Sequence, residues 1–238
     1  MVLLKKSLLS QFLEPEASPQ RIASLVDHEV RWHYSQHLAA ERKGEEVIED
    51  MLKLASDKKK RALLNAQLQD EKRHVDLFQA EINRIGYDDR ATTYAEGYSA
   101  LVLSLNSLSE KAFVFQILTE SISAAYCAWR LTAITDKTLN ALDHEVELDE
   151  RRHLVMGKTL MSICDPDEVD SCLTSEKKKS LIRKMNEICM QANRKDFSSS
   201  ILGDLGISGA EVGPTELDSL IARAVISETR NLNLRGEL

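Results

Sequence analysis

Asp70-Glu71-Lys72-Arg73-His74 and Asp149-Glu150-Arg151-Arg152-His153 decide how this chain is read. Each stretch contains Glu-x-x-His. Each is preceded, across 28 intervening residues, by a further glutamate: Glu41 before the first and Glu120 before the second. Every member of the second set lies 79 residues after its counterpart. Positions three apart project from the same side of a helix, so each Glu-x-x-His offers a carboxylate and an imidazole together.

The surrounding residues place these sets on four helices. Ser18-Pro19 is a start signal, and a helical pattern runs from there to about Ala55. Ser56-Asp57 supplies a turn and cap, and a second helix continues to about Ile85, where Gly86 stops it. A less regular crossover spans Tyr87 to Leu108 and holds a short helix from about Tyr94 to Leu105. Ser109-Glu110 opens a third helix that reaches about Ile134. After the break at Thr135-Asp136 a fourth helix runs to about Ile163, and Cys164-Asp165-Pro166 ends the unit. Beyond it the pattern predicts a helix near Ser175 to Ala192, a Gly-rich loop from Gly203 to Gly213, and a last helix from Pro214 to about Asn231. The chain thus divides into an N-terminal segment (1–18), a four-helix unit (19–163) and a C-terminal helical extension (164–238) packed on it.

The turns test this placement independently. In an antiparallel helical hairpin, residues equally far from the turn lie side by side. Glu41 and Glu71 are centred on Ser56, and Glu120 and Glu150 on Thr135, the two breaks assigned from caps alone. At 1.5 Å per residue both pairs sit about 22 Å from their turns, hence at one depth. The glutamates interrupt apolar stripes: Leu64, Leu68, Glu71, Val75 and Phe78 on the second helix, and Phe113, Ile117, Glu120, Ala124 and Cys127 on the third. On the first helix Glu45 shares the side of Glu41. Glu45 would break both the hairpin midpoint and the 79-residue repeat, so Glu41 is preferred.

Burying a single carboxylate costs several kcal/mol even after relaxation. Four at one depth would exceed a typical net stability of about 5–15 kcal/mol. Two divalent cations cancel four negative charges and leave the imidazoles as neutral ligands. Oxygen-rich ligation with one nitrogen per ion suits iron or manganese better than zinc.

The repeated E-x28-D-E-x-R-H resembles the ligand pattern of ferritin-like di-iron carboxylate proteins, over roughly Pro19 to Ile163. The D-E-x-R-H form is similar to that of bacterial multicomponent monooxygenase hydroxylases, and the wider doublet resembles para-aminobenzoate N-oxygenases. In size the chain is similar to aldehyde-deformylating oxygenases and to the tRNA-modifying hydroxylase of the same superfamily. The resemblance implies an all-α fold: a ferritin-like four-helix bundle with a long crossover and extra C-terminal helices. It implies Glu41, Glu71, His74, Glu120, Glu150 and His153 as ligands to two Fe, with Mn an alternative in either position. It further implies that Asp149 orients His74 and Asp70 orients His153. The activity it implies is a non-haem di-iron oxygenase or oxidase that uses O2 on a small organic substrate, with electrons from an external donor. The alternatives are a ferroxidase, iron-storage or peroxide-scavenging protein, and a structural bundle stabilised by metal. A homodimer is expected from the same resemblance.

Other features are bland beside this one. His33 and His37 precede Glu41 at helical spacing and read as satisfied or exposed histidines before they read as ligands. Tyr34, Tyr126 and Cys127 read as packing, and Arg73 and Arg152 as surface salt-bridge partners. The four cysteines form no C-x-x-C pair, so neither a zinc ribbon nor a rubredoxin-type centre is indicated. The net charge of −7 disfavours nucleic acid as a partner. No secretory signal or membrane-spanning stretch is evident, and a cytoplasmic location with reduced thiols is expected.

Overall fold

A computed structural model describes residues 19–192, the side chains from 27 onward. The described residues form seven helices packed as a bundle, with no helix long and apolar enough to cross a membrane. They are α1 (Pro19–Leu54), α2 (Lys58–Ile85), α3 (Thr93–Leu103), α4, α5 (Lys137–Ser162), α6 (Pro166–Cys172) and α7 (Ser175–Ala192). The fourth, α4, is one continuous helix made of Leu108–Ala112, a π-helical stretch Phe113–Thr119, and Glu120–Ala133. The Gly-rich loop and last helix expected after Gly203 lie outside the described residues.

The local chemistry of the breaks produces two hairpins. Asp57 accepts hydrogen bonds from the Lys59 and Lys60 amides at 2.9 and 3.0 Å and starts α2. Asp136 does the same for Thr138 and Leu139 at 2.9 and 3.1 Å and starts α5. Such caps satisfy amides that have no partner within the first turn. Gly86 ends α2 with φ +97°, a conformation that a residue with a Cβ rarely adopts.

Two starts differ from expectation. The third long helix begins at Leu108, because Ser107 and Glu110 form a reciprocal capping box one step earlier than the Ser109-Glu110 signal suggested. The short helix α6 was not foreseen: Asp165-Pro166 ends one helix but also caps and opens the next.

The core has two apolar clusters. One holds Val47, Ile48, Leu64, Leu68, Phe113, Ile117 and Leu160, together with residues of α3 and α7. The other holds Val30, Tyr34, Leu38, Phe78, Ile82, Ile134, Leu139 and Val146. The α1–α2 turn belongs to the first end and the α4–α5 turn to the second. Between α2 and α4 the chain therefore travels the length of the bundle, with α3 laid along it. On α2 and α5 the glutamate lies in sequence between the two clusters: Glu71 between Leu68 and Phe78, and Glu150 between Val146 and Leu160.

Small residues set how closely the helices approach. A Cβ on Gly157 of α5 would lie 2.5 Å from Gln116 Cβ on α4, and one on Gly97 of α3 would lie 2.7 Å from Ile188 Cγ2 on α7. Tyr98 donates to the Ala40 carbonyl at 2.5 Å and pins α3 to α1.

Candidate metal centre

Glu41, Glu71, Glu120 and Glu150 meet in the middle of the bundle with His74 and His153, and none of the six is more than 4% exposed. Glu45, the rival on α1, is only half-buried. The two imidazoles face each other with ring centroids 6.0 Å apart.

Each histidine turns Nε2 outward and Nδ1 inward. His74 Nε2 lies 3.2 Å from Asp149 Oδ2, and His153 Nε2 lies 3.2 Å from Asp70 Oδ2, so each Asp serves the histidine of the other repeat. His74 Nδ1 faces Glu41 Oε2 at 3.3 Å and Glu150 Oε1 at 3.7 Å. His153 Nδ1 faces Glu71, Glu150 and Glu120 at 3.5, 3.5 and 3.6 Å.

Those distances test the fit to a cation. His153 Nδ1 and Glu150 Oε2 are buried and make no hydrogen bond, a costly situation for polar atoms without a partner. Two ligand atoms about 2.1 Å from one ion stand roughly 3.0–3.4 Å apart at octahedral to tetrahedral angles. The observed separations need close by only a few tenths of an ångström. Two overlapping groups bring candidate donors together, Glu41–Glu71–His74 and Glu71–Glu120–His153, each with donor atoms within 4.8 Å of one another. Glu71 is common to both and Glu150 faces both histidines. Gly44 leaves the space that Glu71 needs: a Cβ there would stand 3.0 Å from Glu71 Oε2.

Protons balance the same charges. Burial drives the carboxyls of Glu71 and Glu120 well above the usual range, and their neighbouring carboxylates push the same way. Burial also disfavours charge on Glu41 and Glu150. For Glu41, His74 and His37 overcome it; for Glu150, the contacts of Glu120 and His153 do, and both stay low. Burial opposes protonation of His74, yet Glu41 and Asp149 push it up to about 11. His153 is raised against burial by Asp70, Glu120 and Glu150. These shifts favour neutral carboxyls at Glu71 and Glu120 and protonated imidazoles at His74 and His153, so protons offset charge that the cluster would otherwise carry.

Several supporting groups were not evident from sequence. Gln67 donates to Glu120 Oε1 at 2.6 Å and to Glu71 Oε1 at 3.1 Å, and its own oxygen accepts from Gln116 at 2.7 Å. Both Gln67 and Gln116 sit one helical turn before a glutamate, as His37 does before Glu41. That polar residue on an otherwise apolar stripe is the signal that would have found them. Arg73 and Arg152 are exposed salt-bridge partners, as expected, and their anions include the aspartates beside the histidines. Arg73 pairs with Asp149 and Glu145, and Arg152 pairs with Asp70 and Asp149 at 2.7 Å each, so they brace the aspartates that hold the histidines. Cys127, Tyr34 and Tyr126 are all buried in the core, and Tyr126 also lines a cavity.

That cavity opens on the glutamates from the α1/α4 side. Its walls are Gln36, His37 and Ala40 of α1; Phe115, Thr119, Ile122, Ser123 and Tyr126 of α4; Tyr94 and Tyr98 of α3; and Cys189 of α7. The four glutamates form its floor. About 50 Å³ is open to the centres of water-sized spheres, several times the roughly 10–15 Å³ that one water requires. No lysine or arginine lines it among the described residues. The π-helical stretch of α4 supplies two of its wall residues, Phe115 and Thr119; such irregularities often accompany functional sites.

Comparison with protein-family models, with curated proteins and with solved structures returned no match.

Proposed function

We propose that this chain is a ferritin-like di-metal oxidoreductase that uses O2 to oxidise a small, uncharged organic molecule. One observation carries the reading: a cavity walled by aromatic and small side chains ends on the buried Glu4His2 cluster. A site built only for stability needs no such approach, and a ligand pocket is typically concave, mostly apolar and furnished with a few polar groups.

Glu41, Glu71, Glu120, Glu150, His74 and His153 would hold two ions, iron by preference for this oxygen-rich donor set and manganese as the alternative. The bound metals supply the redox chemistry with O2, which side chains alone do not perform. Asp149 and Asp70 fix Nε2 of each histidine as the protonated nitrogen and leave Nδ1 for the metal. Gln67 holds Glu71 and Glu120 in place through its amide. Tyr94, Tyr98, Phe115 and Tyr126 keep the approach largely apolar, and Thr119 and Ser123 offer hydroxyls for orientation. The lack of a cationic side chain in the described lining disfavours carboxylates and phosphates as substrates. Electrons come from a donor outside the chain.

Anaerobic Fe(II) titration with metal analysis tests this reading. The expected result is about two iron per chain, O2 uptake on admission of air with a reductant, and loss of both in Glu71→Ala and Glu150→Ala. Near-normal loading in either variant overturns it. Uptake of many iron atoms per chain would assign iron storage instead.

A further inference from the structure

His37 is the one imidazole beside the glutamates that the centre has not absorbed. With Glu41 and Glu150 it presents donor atoms within 4.8 Å of one another, a grouping that could hold a cation. Its hydrogen bonds decide otherwise. Arg130 Nη2 stands 2.6 Å from His37 Nδ1. A guanidinium has hydrogens to donate and no acceptor, so Nδ1 must accept. The ring hydrogen then resides on Nε2, which lies 2.8 Å from Glu41 Oε1 and 3.1 Å from Ser123 Oγ. Flipping the ring would set carbon atoms against both Arg130 and Glu41, so the network itself assigns the orientation.

Arg130 has no freedom to release Nδ1. It is fully buried, paired with Asp143 at 2.6 Å through Nη2 and 2.9 Å through Nε. The second Asp143 oxygen accepts from Tyr34 at 2.6 Å. The guanidinium carbon lies 4.6 Å from the ring centres of both Tyr34 and Tyr126, a cation–π clamp. Phe78 stacks on the His37 ring at 4.3 Å. Glu120 is held differently: the residue one turn before it, Gln116, turns to Gln67, and the Gln67 amide, not an imidazole, donates to Glu120 Oε1 at 2.6 Å.

We propose that His37 is not a metal ligand but a positioning residue, locked by Arg130 as an Nε2–H donor that holds Oε1 of Glu41 and leaves only Oε2 to the metal shared with His74. This rests on the two-metal reading and gives the two positions different supports, a locked imidazole at Glu41 and the Gln67 amide at Glu120.

Co(II) titration of the full chain under anaerobic conditions, followed by absorption and calorimetry, tests it. Wild type should take two Co(II). His37→Gln, whose amide can donate from the same place, should take two with near-wild-type steps. His37→Ala should also take two, with one step weakened by about 10–100-fold and the other unchanged. Loss of one equivalent in both variants would make His37 a ligand and overturn the proposal; so would equal weakening of both steps, a Gln variant as weak as the Ala variant, or no change in His37→Ala. Failure of wild type to bind Co(II) would sink the two-metal reading itself, and the proposal with it. Histidine ¹⁵N spectra of wild type need no folded variant: a protonated Nε2 and an unprotonated Nδ1 are expected for His37 before and after Zn(II) loading. Loss of the Nε2 hydrogen on loading overturns the assignment.

Discussion

The two faces of the carboxylate cluster are built in opposite ways. On the α2/α5 face, Asp70, Asp149, Arg73 and Arg152 link both helices in a ring of ion pairs laid over the histidines. On the α1/α4 face the walls are mainly aromatic and small, and they enclose space. The difference teaches a division of labour. The closed face holds the imidazoles in one orientation, and the open face leaves room beside the glutamates that, under the proposed function, would admit a reactant. The same residue type illustrates it: on the closed face each histidine turns its outer nitrogen to an aspartate, whereas His37 on the open face turns Nδ1 to a guanidinium.

The comparison breaks most readily at the cavity. Ile122→Trp should fill it and lower substrate-coupled O2 use by about 100-fold or more, as misplacement near a reacting centre does, while two metals still load. Metal analysis beside oxygen-electrode rates checks this, and unchanged turnover would show that the cavity is not the approach. On the closed face Asp149→Asn and Asp70→Asn should each weaken one metal position by about 10–100-fold, with the cavity untouched. Equilibrium titration reads the effect, and an unaffected affinity would remove the aspartates from the design.

Acidity sharpens the contrast further. His74 folds with its pKa raised to about 11 from an ordinary 6.5. A raised value stabilises fully below about 6.5 and is lost as pH rises toward the folded value. The metal-free protein should therefore lose stability between about pH 7 and 10, as measured by denaturant midpoints, and the loaded protein should not. Loading near neutral pH should release protons, from His74 and from the other groups whose proton affinity is raised, Glu71, Glu120 and His153. Calorimetry in buffers of different ionisation heat counts them, and release near zero would contradict the charge balance. The smallest effect belongs to Arg73→Ala. This side chain is 39% exposed, so its loss should cost about 1 kcal/mol or less in unfolding measurements. A much larger loss would mean that the ring carries the face.

How much was legible follows from the range of each interaction. Glu71 with His74, and Glu150 with His153, were readable because three residues on a helix always return to the same side. Equal depth was readable because a short turn fixes a hairpin's register, and Asp57 and Asp136 mark those turns in the sequence. Gln67, Gln116 and the locking of His37 were not readable. A side chain one turn from a glutamate can point to that glutamate, to the next helix or to a neighbour such as Arg130, and only the approach of the helices chooses. The π-helical stretch of α4 gave no signal either, since Phe113 to Thr119 reads as ordinary helix.

What the sequence by itself determined is therefore the set of donor atoms, their pairing along each helix and the depth at which they stand, all consequences of 1.5 Å rise and short capped turns. What only the tertiary structure decided is which face is sealed and which is open. That choice rests on contacts between distant segments: Gly157 against Gln116, Gly97 against Ile188, and Cys189 of α7 brought to the cavity wall. Close packing makes such contacts sensitive to a volume change of about one methylene, a precision that periodicity along one helix does not contain.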